Sequence, residues 1–242
     1  MLKKYLEFSF AFLIIFVIQL LAESDSKTTY LVLGNFKYAI KPLITISLMI
    51  FYLYQTQLKG RFAKRIFIGL FFGLAGDSFL MFVDVNESFF IYGLVSFLIG
   101  HLLYITAFYL DYKWNPLIEK SASRIALIVF GLFCLGFYFF IRPYLGAMKI
   151  PVLVYAFVIS LMAIMSVNRK GRVSSLSYNL IFVGAILFLI SDSVLAFNKF
   201  VYPFEGAGLV IMSTYMIAQF LITIGAVERK LKKSTAIDPT KR

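Results

Sequence analysis

The chain has 242 residues, 61% of them hydrophobic, with 28 Phe and a mean hydropathy of +0.86. A soluble domain carries about 45–50% apolar residues, so this composition excludes one. The net charge of +12 reads as loop charge that records membrane topology, and no nucleic-acid partner is expected. Cys134 is the single Cys and His101 the single His. No disulfide framework and no Cys/His metal cluster follow, and neither metal nor other cofactor is expected.

Apolar runs long enough to span a bilayer predict eight helices, over 5–22, 37–54, 66–83, 89–110, 125–141, 150–167, 176–197 and 206–227. The fold class is therefore all-α, a polytopic membrane helix bundle of about eight transmembrane helices. It forms one domain over 1–227, followed by a basic, polar, frayed tail over 228–242. Lys3 and Lys4 precede the first run, but Leu20 stands where a signal-peptidase site after Ala22 would want a small residue, so the first helix reads as uncleaved. Residues 23–36 read as a polar loop. Pro42 sits in the first turns of the second helix, where the early amides lack partners anyway. With both termini on one side, 18 of the 24 Lys and Arg fall on that side. The positive-inside rule makes it cytoplasmic. An integral protein of a bacterial inner membrane, with both termini cytoplasmic, is the expected localisation.

Two apolar helices each keep one carboxylate. Asp77-Ser78-Phe79-Leu80-Met81-Phe82 and Asp192-Ser193-Val194-Leu195-Ala196-Phe197 share the pattern Asp-Ser-x-Leu-x-Phe. An ionised group at mid-helix costs roughly 2.5–3.5 kcal/mol on insertion scales, which marks both as functional-site candidates. The echo lies four spans apart, which preserves direction and allows two parallel four-helix halves. Counted from the predicted helix ends, both Asp lie about 9 Å below the outer boundary and are placed to face one cavity.

A buried pair of carboxylates suits general acid–base work, because one holds a proton while the other stays ionised. His101 and Tyr104, one turn apart on one face, Tyr215 and Gln219, again one turn apart, and Ser191 are candidate lining residues. Lys41 and Lys199, near the outer helix ends, are candidate cations for a lipid phosphate. A Ser–His–Asp triad through Ser78 or Ser193 is disfavoured. His101 lies about 18 Å deep by the same count, and no Gly-x-Ser-x-Gly elbow is present. An intramembrane aspartyl protease would need glycine at Leu74 and tyrosine at Ser191. A small proton-coupled transporter or lipid-binding membrane protein stays open as the alternative. Broken helices at the Asp sites would favour it, and no Pro lies near either.

Several pieces resemble the lysoplasmalogenase, or YhhN-like, family of integral membrane proteins. They are Lys41-Pro42-Leu43, Gly76-Asp77-x-x-Leu80, Gly100-His101-x-x-Tyr104, the run from Gly184-Ala185 through Ser191-Asp192 to Leu195-Ala196 with Lys199-Phe200, and Tyr215-x-x-Ala218-Gln219-x-Leu221-Ile222. The resemblance covers about residues 38–225. It implies a metal-free eight-helix hydrolase of the vinyl ether bond in lysoplasmalogens, with Asp77 and Asp192 as catalytic pair and a lysophospholipid as substrate. The products would be a fatty aldehyde and glycerophosphocholine or glycerophosphoethanolamine. Leu189 and Ile190 shield Asp192 while Gly76 leaves Asp77 the more open, which assigns Asp192 as the acid.

Overall fold

The computed structural model describes residues 5–23, 37–115 and 121–232. Among the described residues eight α-helices follow one another: α1 (Leu6–Ala22), α2 (Lys37–Thr56), α3 (Gly60–Leu80), α4 (Ser88–Trp114), α5 (Ser121–Ile141), α6 (Lys149–Val167), α7 (Ser175–Phe200) and α8 (Ala207–Val227). Two short 3-10 turns join α5 to α6. The described residues hold no strand, only an isolated bridge between Val173 and Leu231. Helices α4 to α8 are long and apolar enough to cross a membrane, and α1 is a shorter apolar helix of 17 residues. The predicted 23–36 loop lies almost wholly outside the described residues.

The helices outrun their apolar segments. α3 begins at Gly60, so Arg61, Lys64 and Arg65 are helical, and α4 runs on to Trp114. A helix does not stop where the hydrocarbon stops. Arg65, for example, extends to donate to the Thr106 carbonyl of α4 at 2.6 Å. On α5, Ile125, Leu127, Leu132 and Phe139 are each about two-thirds exposed. In water such a surface would be a liability, whereas lipid covers it without cost.

Packing repeats with a shift of four helices. α3 lies on α4 as α7 lies on α8, α1 on α2 as α5 on α6, α2 on α3 as α6 on α7, and α2 on α8 as α6 on α4. Glycines let the two tight pairs approach. A Cβ at Gly100 would stand 3.2 Å from the Gly69 carbonyl oxygen, and one at Gly184 only 2.9 Å from that of Ala218. Small residues at such crossings are how helices gain close packing in lipid. The six-residue echo in the sequence thus lies on two helices, α3 and α7, that pack in corresponding ways.

The end that holds the N-terminus of α3 and the C-terminus of α4 is locked by buried charge. Asp111, fully buried on α4, accepts from Arg169 Nε at 2.8 Å and from Arg229 Nε at 2.6 Å. The Arg169 guanidinium also donates to the Ser177 carbonyl and hydroxyl, and Phe62 and Phe108 stack beside it. Arg172 donates to the Asn115 carbonyl at 3.0 Å and lies over Tyr112. Trp114 donates to the Lys232 carbonyl. The tail reading is therefore corrected for 228–232. These residues are tied down because Asp111 draws Arg229 back across the bundle end, while 233–242 lie outside the described residues.

Breaking a buried pair leaves one charge uncompensated, which costs about 3–5 kcal/mol. Asp111→Ala should lower unfolding stability in detergent by that order, because it strands the buried guanidinium of Arg169. Lys170→Ala, at the exposed neighbour, should stay within about 0.5 kcal/mol of the parent. Chemical denaturation followed by far-UV dichroism checks both.

Candidate active site

Each carboxylate is met by donors from two neighbouring helices. Asp77 on α3 is 2% exposed. Its Oδ2 accepts from Tyr215 of α8 at 2.6 Å and from Thr45 of α2 at 3.2 Å. Tyr215 in turn accepts from Gln219 Nε2 at 3.2 Å, and Gln219 Oε1 accepts from Tyr104 of α4 at 3.0 Å. The bonds run one way, from Tyr104 through Gln219 and Tyr215 to the carboxylate. Gly69 and Gly73 on α3 make room for this chain, since a Cβ there would strike the Tyr104 ring at 2.4 Å or Gln219 Nε2 at 2.9 Å.

Asp192 on α7 is met by α6 and α4. Its Oδ2 accepts a short bond from the Tyr155 hydroxyl and lies 3.3 Å from His101 Nε2, which is itself 3.1 Å from the Tyr155 oxygen. Both partners meet Oδ2, so Oδ1 is the oxygen left for another molecule. The His101 ring stands edge-on to Phe188, with centroids 4.6 Å apart. Phe97, Phe188 and Tyr215 pack edge to face at 5.3–6.5 Å and separate the two carboxylate clusters.

Asp192 lines two apolar clefts. The first lies among α3, α4, α6 and α7, with Leu80, Phe90, Leu94, Phe97, Leu195 and Phe200 in its wall. It encloses about 400 Å³ of atom-free space, mouth included. The second, of about 320 Å³, lies among α5, α6 and α7 and is lined by Phe133, Phe137, Ile159 and Leu189. Tyr155, Val152 and Ala196 belong to both walls. Asp77 lines neither.

Several expectations change. Gly76 does not open Asp77 to solvent. A Cβ there would meet the Phe97 ring at 2.7 Å, and that ring closes over the site. Asp77 is the sealed carboxylate, and Asp192, with its side chain 11% exposed, is the accessible one. The helix ends also differ from those expected: α3 ends three residues after Asp77, while α7 runs eight past Asp192. His101, counted as too deep, reaches Asp192 all the same. Side chains lean towards their own helix N-terminus, and α4 and α7 are antiparallel, so the two lean towards each other.

The other candidates divide between the clusters. His101 joins Asp192, whereas Tyr104, Tyr215 and Gln219 join Asp77. Ser191 is buried and donates to the Ile211 carbonyl of α8 at 3.0 Å, away from both clefts. Ser78 and Ser193 donate to the carbonyls four residues before them, so neither engages His101. Lys41 lies one turn before Thr45, the α2 donor to Asp77. Lys199 is exposed, with its ammonium 5.5 Å from the centre of the Phe90 ring at the rim of the first cleft. Two residues went unread, Thr45 and Tyr155. For Tyr155 there was a signal, a phenol inside an apolar helix rather than at its interfacial ends.

Residues 36–226 match the YhhN family. The chain belongs to that family. Both carboxylates, all seven polar candidates and every helix but α1 fall inside the YhhN match. The chain is 35% identical over 175 residues to "Lysoplasmalogenase TMEM86A" of Bos taurus, covering 69% of this chain and 67% of that protein. It is 31% identical over 194 residues to "Lysoplasmalogenase TMEM86B" of Sus scrofa, covering 80% and 76%. Over 157 residues it is 27% identical to "Lysoplasmalogenase" of Mycobacterium bovis, covering 62% and 56%. No solved structure gives a significant match.

Removing one donor from a buried acceptor costs about 1–3 kcal/mol. Tyr215→Phe should therefore destabilise the bundle by that order. Tyr202→Phe, at a hydroxyl on the exposed turn after α7, should leave the denaturation midpoint in detergent unchanged.

Proposed function

We propose that this YhhN-family protein is a membrane-embedded lysoplasmalogenase. It would cleave the vinyl ether bond of lysoplasmalogens to a fatty aldehyde and glycerophosphocholine or glycerophosphoethanolamine. The observation that carries the reading is Asp192, a carboxyl group at the junction of two apolar clefts with one oxygen unengaged. The names of the relatives supply the substrate class.

In the chemistry, protonated Asp192 gives its proton through Oδ1 to the β-carbon of the vinyl ether, and an oxocarbenium ion forms. Water adds to the cationic carbon and returns a proton to the carboxylate. The hemiacetal then collapses to aldehyde and alcohol, so the sum consumes one water and no net proton. Glycosidases pass through a similar cation with similar carboxyl groups. Tyr155 and His101 hold Oδ2 and so set which oxygen meets the substrate. Asp77, held by Tyr215 and Thr45 behind the Phe97–Phe188–Tyr215 layer, would supply a negative charge on that side. Such a preorganised charge favours the developing cation.

The transporter alternative gains nothing from the geometry. α3 and α7 run unbroken through both aspartates, whereas transport sites favour discontinuous helices. All eight helices cross the membrane in this reading, a bacterial inner membrane, with both termini cytoplasmic and the clefts near the outer face. Arg169, Arg172 and Arg229 are bound into the locked end, and the remaining basic residues still favour that end as the cytoplasmic one.

Aldehyde release from a lysoplasmalogen by purified protein in detergent is the test. Asp192→Asn should lower kcat by about 10²–10⁴, the usual worth of a general acid. Tyr155→Phe should lower it by roughly tenfold, the worth of one hydrogen bond, and Asp77→Asn should also lose rate. Ser78→Ala should match the parent. Full activity in a folded Asp192→Asn protein would sink the mechanism.

Orientation is tested separately in a Cys134→Ser background. Lys199→Cys should react with an impermeant thiol reagent added outside intact cells. Lys170→Cys should react only after the membrane is opened.

A further inference from the structure

The two clefts that meet at Asp192 differ in depth and in what guards them. The first is walled near the outer helix ends, by Leu80 closing α3, Phe90 opening α4 and Phe200 closing α7. Lys199 overhangs its rim through its contact with Phe90, and Phe90 in turn meets Phe200 edge to face at 5.6 Å. The second cleft goes deeper. Ile159 lies ten residues into α6, and Leu189 lies eleven residues before the end of α7. Its lining carries no charge except Asp192.

The second cleft also has a roof and an open side. At the outer end α5 meets α7 through the stacked Phe140 and Phe197 rings, 6.2 Å apart and 3° from parallel. Below that roof Phe133 and Phe137 of α5 face Leu189 and Ser193 of α7 across the cleft. Phe133 is 38% exposed on the lipid-facing helix, so this cleft opens sideways into the hydrocarbon.

We propose that the clefts form one bipartite site for a single-chain ether phospholipid. The chain lies in the deep α5–α6–α7 cleft, the glycerophosphate lies in the outer cleft beneath Lys199, and the ether bond rests at Asp192 and Tyr155. This deepens the lysoplasmalogenase reading and rests on it. Both walls are apolar, and the division follows the one cation: Lys199 stands at the mouth of the outer cleft, where a phosphate gains from an exposed ammonium, while the deeper cleft offers the chain only apolar contact. Ile159, Phe133 and Phe137 then set chain preference, and Lys199 binds the head whatever the chain.

The first arm uses an uncleavable probe, an alkyl-ether lysophosphocholine with a diazirine at its chain end. Irradiated with the wild-type protein in detergent, it should label α5 and α6 around Phe133, Phe137 and Ile159. Excess unlabelled lysoplasmalogen should suppress that label. Competed label on Leu80, Phe90 or Leu94, or no competed label on α5 and α6, would overturn the assignment.

The second arm is kinetic. Ile159→Trp should raise KM for a long-chain lysoplasmalogen roughly tenfold, the loss of about two buried methylenes, with kcat and the short-chain KM little changed. Lys199→Gln should raise KM about two- to fivefold for both chains, the worth of an exposed ion pair. Equal effects of Ile159→Trp on long and short chains would refute the chain site while leaving the hydrolase reading intact. Absence of aldehyde from the wild type would refute the hydrolase reading, and the labelling arm would still decide the site.

Discussion

A carboxylate inside an apolar bundle must be met by donors from other helices, and that requirement organises this structure. Neither α3 nor α7 offers Asp77 or Asp192 a donor from its own turns. Each therefore draws on two neighbours, α2 and α8 for Asp77, α6 and α4 for Asp192. These pairs correspond under the four-helix shift that relates the halves. The tight glycine crossings of α3 on α4 and α7 on α8 bring α4 close enough to serve both, through Tyr104 on one side and His101 on the other. One helix thus links two sites that an aromatic layer keeps apart.

The all-helical class and eight helices were legible because apolar runs and the polar stretches between them are long-range averages that single residues do not disturb. Helix ends were less legible. Arg61 and Lys113 look like loop residues, yet a helix continues past the lipid boundary when its next turn still packs. The two carboxylates stood out because charge in an apolar run is rare. Their environments did not, since Phe97 covers Gly76 from another helix, and only the α3–α4 crossing puts it there. Asp111 escaped notice for a related reason. It falls just past an apolar run, where an acid reads as interfacial, and its partners Arg169 and Arg229 are 58 and 118 residues away.

The two ends of the bundle are built on different principles. At one, a buried ion cluster and the 228–232 segment bind α4, α6, α7 and α8 together. Specific charge pairs of this kind fix one arrangement, because any other leaves a charge buried alone. At the other end, packing between α5 and the rest rests on aromatic and aliphatic contacts such as Phe140 with Phe197, which hold less strictly to one geometry. The ion cluster thus fixes one end of the bundle, while the clefts at Asp192 lie among helices held by apolar contact.

The repeat also explains why there are two aspartates and one accessible site. At the seam among α2, α3, α7 and α8, the interior is filled by Phe188, Tyr215 and Gln219, all buried, and Asp77 is sealed behind them. The corresponding seam among α6, α7, α3 and α4 keeps its cleft. The outermost helices differ in the same sense. α1 packs on both α2 and α8, with Phe8 stacked on Phe51 at 3.9 Å and Phe12 against Phe220 at 4.8 Å. α5 leans on α6 and leaves room beside α7. A symmetric bundle would have had two sealed acids or two leaky ones. Filling one half and parting the other leaves Asp77 sealed and Asp192 at the edge of two clefts.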